Sequence, residues 1–237
     1  MMCGTEKERN DANSTTVEEW WDRCHKTAGS FYVSDYGGPT LWSSLNISDR
    51  IVPGKSVLEI GVGGATDIRE LHAKGLKVHV LDITPTALQK VEAVSEGQWL
   101  ESQIELLPKN YFDVAISHLV TQHINNEALS RQIRYVLRSL KPRGVFAVQF
   151  ADHINGMPDD SYREDLEAQQ KGGVCRSLRM IRQVVDDNGG KIVWVSQAQN
   201  FPDYGARWFY VHMRRKKRCF LSLCGCTNRW SKNRHRT

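Results

Sequence analysis

The chain has 237 residues and a mass of 27.1 kDa, with 40% hydrophobic and 25% charged residues. That suits one globular domain with appendages. It excludes a disordered, fibrous or disulfide-scaffold protein, since Gly and Pro number only 18 and 7 and six cysteines are too sparse to staple a fold. The formal net charge of +5 is unevenly placed: Arg214–Thr237 holds nine of the 32 Lys/Arg and none of the 27 acids, which leaves residues 1–213 at a net −4. An acidic body argues against a nucleic-acid face, which needs clustered Lys/Arg. No apolar run approaches the roughly 20 residues that span a bilayer, and the polar opening MMCGTEKERNDANSTT is unlike a signal peptide. The chain therefore reads as cytoplasmic, with reduced thiols.

Residues 1–15 read as disordered. Thr16 followed by Glu19 has capping-box spacing and opens a short helix, VEEWWDRCHK. Residues 16–50 form an N-terminal unit. Within it Trp20, Trp21, Phe31, Tyr32, Tyr36 and Trp42 supply six of the 21 aromatics, suited either to packing over a core edge or to a lid that excludes water. From residue 51 to 213 strands and helices alternate. Strands are expected at Ser56–Ile60, Lys77–Leu81, Gln98–Leu100, Phe112–Ser117 and Gly144–Phe150. Helices are expected at Thr66–Lys74, Pro85–Ser95 and Glu127–Leu140, with Lys141-Pro142 as a stop. Residues 152–174 read as a polar connection. A helix at Ser177–Asp187 follows, and then strands at Lys191–Ser196 and Arg207–Met213. This alternation implies an α/β fold with a doubly wound, mostly parallel sheet, closed by a C-terminal antiparallel hairpin because no helix separates the last two strands.

The chemistry-bearing segment is Val57-Leu58-Glu59-Ile60-Gly61-Val62-Gly63-Gly64-Ala65-Thr66, a strand running into glycines and then a helix. Such glycines let the backbone pass close to a ligand at a helix N-terminus. The dinucleotide fingerprint fails at its sixth position, where Thr66 stands. Glu59, two residues before Gly61, would repel a diphosphate and favour a cation. Asp82 follows the second strand, 23 residues after Glu59. An acid there accepts hydrogen bonds from ribose hydroxyls; the alternative is a cap on the helix behind Thr84 and Pro85.

These segments together resemble the class I, seven-stranded S-adenosylmethionine-dependent methyltransferases. VLEIGVGGA is similar to their first motif, VHVLDITPTAL to the second, LLPKNYFDVAISHLVTQHI to the fourth-strand region and LRSLKPRGVFAVQF to the fifth strand. The resemblance covers residues 50–213. It departs at Ala65, where many members carry a third glycine, and it leaves the third-strand acid open among Glu101, Ser102, Gln103 and Ile104. It implies S-adenosyl-L-methionine as cofactor, held by Glu59, Gly61, Gly63, Asp82, Ile83, Gln103, Ile104 and Ser117. Methyl transfer is an in-line displacement, so the protein chiefly has to position the reactants in a dry site.

If the acceptor is a hydroxyl, a base helps, and histidine is the usual one. His118 and His123, beyond the fourth strand, are the catalytic candidates, with His153 a third. Each also has a bland reading, as a pocket wall or a helix-start residue bonded to backbone. No metal-binding constellation stands out. The place after the fourth strand reads Ser117-His118-Leu119-Val120. It lacks the Asn/Asp-Pro-Pro-aromatic run and the Pro-Cys nucleophile of the DNA-modifying members. The expected acceptor is therefore a small molecule or a saccharide-like compound, methylated at oxygen and met by the polar residues of 152–174, with no specific nucleic acid.

The tail, residues 214–237, reads first as a disordered basic extension. Its Cys219, Cys224 and Cys226 beside the cationic run also suit contact with an anionic membrane surface. Two rivals stand beside the methyltransferase: a nicotinamide-dependent dehydrogenase on a similar sheet, and a non-catalytic cofactor-binding module.

Overall fold

The computed structural model describes residues 16–27, 38–153, 162–201 and 206–216. The N-terminal stretch 1–15, the aromatics Phe31, Tyr32 and Tyr36, and the tail beyond residue 216 with its three cysteines lie outside them. Two helices, α1 (Val17–Thr27) and α2 (Gly38–Ser44), precede the alternating unit β1 (Ser56–Ile60), α3 (Thr66–Ala73), β2 (Lys77–Asp82), α4 (Pro85–Gln89), β3 (Gly97–Leu100), β4 (Phe112–Ser117), α5 (Asn126–Ser139) and β5 (Leu140–His153). The chain continues through α6 (Leu166–Lys171), α7 (Leu178–Asp187), β6 (Gly190–Val195), β7 (Gln199–Phe201) and β8 (Ala206–Arg215).

The sheet runs in the order β3-β2-β1-β4-β5-β8-β6, with β7 also paired to β8. β1 to β5 pair in parallel, and β8 is antiparallel to both β5 and β6. Seven positions are filled, as expected, but the last is split. β8 is long enough that β6 pairs with its residues 211–215 and β7 with residues 206–208 on the same side. The sheet buries both faces, as a parallel sheet must. α5 and α7 cover one face with Leu129, Ile133, Val136, Ile181 and Val185. α2, α3 and α4 cover the other with Leu41, Leu45, Ile68, Leu71 and Ala87. Every residue of β1 is buried, including Glu59. Connections reverse direction between β1 and β4, so the carboxyl ends of these strands open a crevice at the switch point.

Three expected boundaries move. α4 stops at Gln89 because the fully buried Val91 leaves helical dihedrals (φ −123°, ψ 8°) to reach the core, and a separate turn of 3₁₀ helix follows at Glu92–Val94. β5 begins at Leu140, directly after α5. Leu140 already pairs with Phe112, and the register shift before Val114 accommodates Pro142 and Arg143 (φ 70°). The connection read as irregular contains α6, capped by Asp165, whose carboxylate accepts from the Ala168 N–H at 3.0 Å, and ended by Gly172 in the left-handed region.

Candidate active site

The first turn after β1 begins at Gly61, whose φ of 84° excludes most side chains; a Cβ there would also collide with the Val120 side chain. Gly61 N–H donates to the Leu81 carbonyl at 2.9 Å, which ties the turn to β2. Gly63 follows at φ 49°, and Ala65, where the resemblance expected glycine, takes φ 63° as the residue before α3. A small residue tolerates that conformation at modest cost.

Asp82 is buried at the end of β2. Its Oδ2 accepts from the Val62 N–H at 2.7 Å, and its Oδ1 accepts from the Thr84 N–H at 2.9 Å and the Thr84 hydroxyl at 3.3 Å. Thr84 itself caps α4 through the Ala87 N–H, so Asp82 is not the cap. A carboxylate has about four lone-pair sites, so Asp82 is fixed in orientation with acceptor capacity left over.

These groups line one cavity of about 510 Å³ at the switch point. Five carboxylate residues, Glu18, Glu59, Asp67, Asp82 and Glu101, line it, and no Lys or Arg does among the described residues. Glu59 is 3% exposed, and its Oε2 has no hydrogen-bond partner. Burial, helped by the nearby Asp67, raises its carboxyl well above the usual range. Glu101 Oε1 and Gln132 Oε1 are likewise buried without partners. Burial also raises the Glu101 carboxyl, against the pull of Arg131.

The sequence candidates divide. Glu59, Gly61, Gly63, Asp82, Ile83, His118 and His123 line the cavity. Gln103, Ile104 and Ser117 do not. Residues 101–106 form a 3₁₀ turn that aims Glu101 at the cavity and Ile104 into the core, while the Gln103 side chain turns back to accept from the Leu100 N–H. Ser117 is fully buried within the sheet beside Ile60. Of the four third-strand candidates, Glu101 alone lines the cavity. His153 stands at the end of β5 with its N–H on Asp152 Oδ1, away from the lining.

The histidines are turned and tuned differently from a free base. His123 Nδ1 donates to the Gln169 carbonyl at 2.8 Å. Its Cε1–Nε2 edge abuts Gly172, where a Cβ would stand 2.8 Å from Cε1. Burial pushes both His118 and His123 down to about 4, so both are neutral at pH 7.

Several wall residues were not singled out from the sequence. α1 lies over the opening, with Glu18, Trp21 and His25 on the cavity and Trp21 edge-on to His123 at 4.8 Å. It is fastened by the Thr86 hydroxyl donating to Asp22 at 2.5 Å and by Lys90 Nζ on His25 Nδ1 at 3.0 Å. Leu119 adopts φ 57°, with its N–H held by Gln149 Oε1 at 2.9 Å. α6 brings Leu166 and Gln169. Among the described residues of this cap, Arg163 pairs with Asp165 and Glu167, and Lys171 with Glu167; Asp159 and Asp160 lie outside the described residues.

The cavity lies where nucleotide-type α/β folds bind their ligands, and carboxylates line it. Residues 58–148 match the family model described as a methyltransferase domain. N-terminal Xaa-Pro-Lys N-methyltransferase 1 of Xenopus tropicalis is 25% identical over 146 residues, 58% of this chain. The chain covers 62% of that relative's length. Among solved structures, phosphoethanolamine N-methyltransferase 2 of Haemonchus contortus with S-adenosyl-L-methionine superposes with TM-score 0.59 at 18% identity, over 86% of this chain and 61% of that one. An S-adenosylmethionine-dependent methyltransferase of Mesorhizobium loti gives 0.56 at 21% identity, over 75% and 99%. Residues 58–148 thus carry a methyltransferase domain, and the fold is the one seen in S-adenosylmethionine-dependent methyltransferases.

The residues present fit that family's cofactor. The orphaned Glu59 oxygen suits an ammonium, the Gly61 turn leaves no room for a side chain, Asp82 keeps acceptor sites for ribose hydroxyls, and Glu101 suits the adenine amine. When bound, S-adenosylmethionine supplies an electrophilic methyl group on sulfur.

Proposed function

We propose that the chain methylates a small polar acceptor that carries no anionic group, held beneath α1 and α6. The observation that carries this reading is the charge of the wall: five carboxylate residues and no Lys or Arg side chain among the described residues. A phosphate or carboxylate acceptor would enter against like charge with no cation to pair it. The neutral state of His118 and His123 leaves that balance unchanged near pH 7. The chain's own task is positioning. The Gly61 turn and Asp82 hold the donor, α1 with Trp21 and α6 with Leu166 cover the opposite side, and together they keep water away from the reacting atoms.

The test is transfer of a labelled methyl group from the cofactor across small acceptors matched in size and differing in charge. Neutral and cationic compounds should take label. Preferred labelling of phosphate- or carboxylate-bearing compounds would overturn the reading.

A further inference from the structure

We infer that the methyl-accepting atom is nitrogen: the cavity is built for a donor-rich, cationic ligand in addition to the cofactor, and a primary or secondary amine fits it. This rests on the reading above.

The cavity's unsatisfied polar atoms carry the argument. Three lining side chains present buried atoms without a partner, Glu59 Oε2, Glu101 Oε1 and Gln132 Oε1, and all three are acceptors. Gln132, on α5, is 3% exposed. Buried acceptors left empty cost free energy, so a ligand that fills the cavity has to bring N–H or O–H donors. The cofactor's ammonium, ribose hydroxyls and adenine amine match Glu59, Asp82 and one of the pair Glu101 and Gln132. That leaves acceptor capacity over. Glu18, on the covering helix α1, adds more and lies close enough to Glu101 for the two charges to repel. A cation placed between them relieves that repulsion.

The second strand of the argument is that none of the lining histidines is placed as a base: His25, the third of them, has Lys90 Nζ on its Nδ1 at 3.0 Å. No Lys, Tyr or Cys lines the cavity among the described residues. His123 spends Nδ1 on the Gln169 carbonyl and sets its other edge against Gly172, so it serves as wall. Burial keeps the His118 imidazole a weak proton acceptor, near 4. A hydroxyl is too weak an acid to lose its proton to a carboxylate, whereas a bound ammonium can pass its proton to a lining carboxylate or to water before attack, and the free amine then offers a lone pair. In the step, that lone pair forms the new N–C bond while the C–S bond breaks. The sulfur keeps the bonding pair as a thioether, and the amine's surplus proton leaves to water. The positive charge passes from sulfur to nitrogen within the same carboxylate-lined space, and leaves it only with that proton.

The experiment uses the full chain with methyl-labelled S-adenosylmethionine and paired acceptors, each small primary or secondary amine set against the alcohol of the same skeleton. S-adenosylhomocysteine binding is measured alongside by calorimetry. The expected result is label in the amines at least tenfold above the matched alcohols. Glu18→Gln should raise KM for the amine about two- to fivefold, as befits an exposed charge, with S-adenosylhomocysteine affinity unchanged. Label in alcohols and not in amines, or in no amine of the panel, with S-adenosylhomocysteine still bound, overturns the nitrogen assignment alone. Failure to bind S-adenosylhomocysteine overturns the reading beneath it.

Discussion

Asp82→Asn isolates the group on which cofactor binding turns. The substitution keeps size and shape but replaces one acceptor oxygen with an NH₂ donor. In the native protein one carboxylate oxygen faces the Val62 N–H at 2.7 Å, and the other faces the Thr84 N–H at 2.9 Å and the Thr84 hydroxyl at 3.3 Å. Whichever way the amide turns, its NH₂ meets a backbone N–H. If it meets Val62, the glycine turn loses one of its two ties to β2 and keeps the Gly61 N–H bond to the Leu81 carbonyl. If it meets Thr84, the start of α4 is disturbed. Either way one charge-assisted bond becomes a repulsive contact at a site only 7% exposed. The bond to a ribose hydroxyl also weakens. A hydrogen bond to a charged group contributes about 1.5–3 kcal/mol, so S-adenosylhomocysteine affinity should fall roughly 10- to 150-fold by calorimetric titration. Thermal unfolding without ligand should fall by only a few degrees, the effect of about 1 kcal/mol for a domain of this size. Native affinity in the variant would refute the reasoning, because Asp82 would then be a structural link between β1 and β2 and nothing more.

Three further outcomes follow from the geometry. Gly61→Ala forces a side chain into the left-handed region and against Val120, so denaturant unfolding should show a loss of about 2 kcal/mol or more; an unchanged midpoint would mean the turn is looser than described. Arg176 is 1% exposed and donates to the Thr121 and Ile124 carbonyls at 2.6 Å each and to Asn126 Oδ1 at 2.8 Å. Arg176→Met should therefore destabilise by about 3–5 kcal/mol, with Arg176→Lys recovering only part; a loss under 1 kcal/mol would contradict its role in fixing the His123 turn. His123, held near 4 in the fold against 6.5 when unfolded, is charged more readily in the unfolded chain. Its contribution is present above pH 6.5 and is lost as pH falls towards 4. From pH 7 to 5 that amounts to about 2 kcal/mol. Glu59, raised by burial, acts in the opposite sense. Comparing wild type with His123→Asn over that range removes the Glu59 contribution, and parallel stability curves would show that His123 is not desolvated.

The parts of the site that one segment encodes were legible in the sequence. β1 and β4 start and stop as expected because both are short, mainly apolar runs that the fold buries almost throughout. Glu59, the Gly61 turn and Asp82 could be placed because strand, glycines and acid follow one another at fixed spacing. α1 was legible as a helix, since the Thr16 hydroxyl accepts from the Glu19 N–H at 3.1 Å as its spacing suggested. Its position over the cavity was not, because that depends on Asp22 meeting Thr86, 64 residues away. Gln103 and Ile104 were misplaced because a 3₁₀ turn sends neighbouring side chains in different directions and the sequence gives no sign of which one faces the ligand. β7 escaped notice because three residues make a strand only where β8 extends past β6 to receive them. The electrostatic state of His118 and His123 is a property of burial, which a histidine's place in the chain does not reveal.

The account stands most directly on which nucleotide cofactor the switch-point cavity accepts. Titration calorimetry of the full chain with S-adenosylhomocysteine and, separately, with NAD decides it. One equivalent of S-adenosylhomocysteine should bind, abolished or severely weakened by Glu59→Arg, while NAD gives no heat above dilution because its diphosphate would meet the carboxylates of the wall. Saturable binding of NAD with none of S-adenosylhomocysteine would contradict the account at its centre.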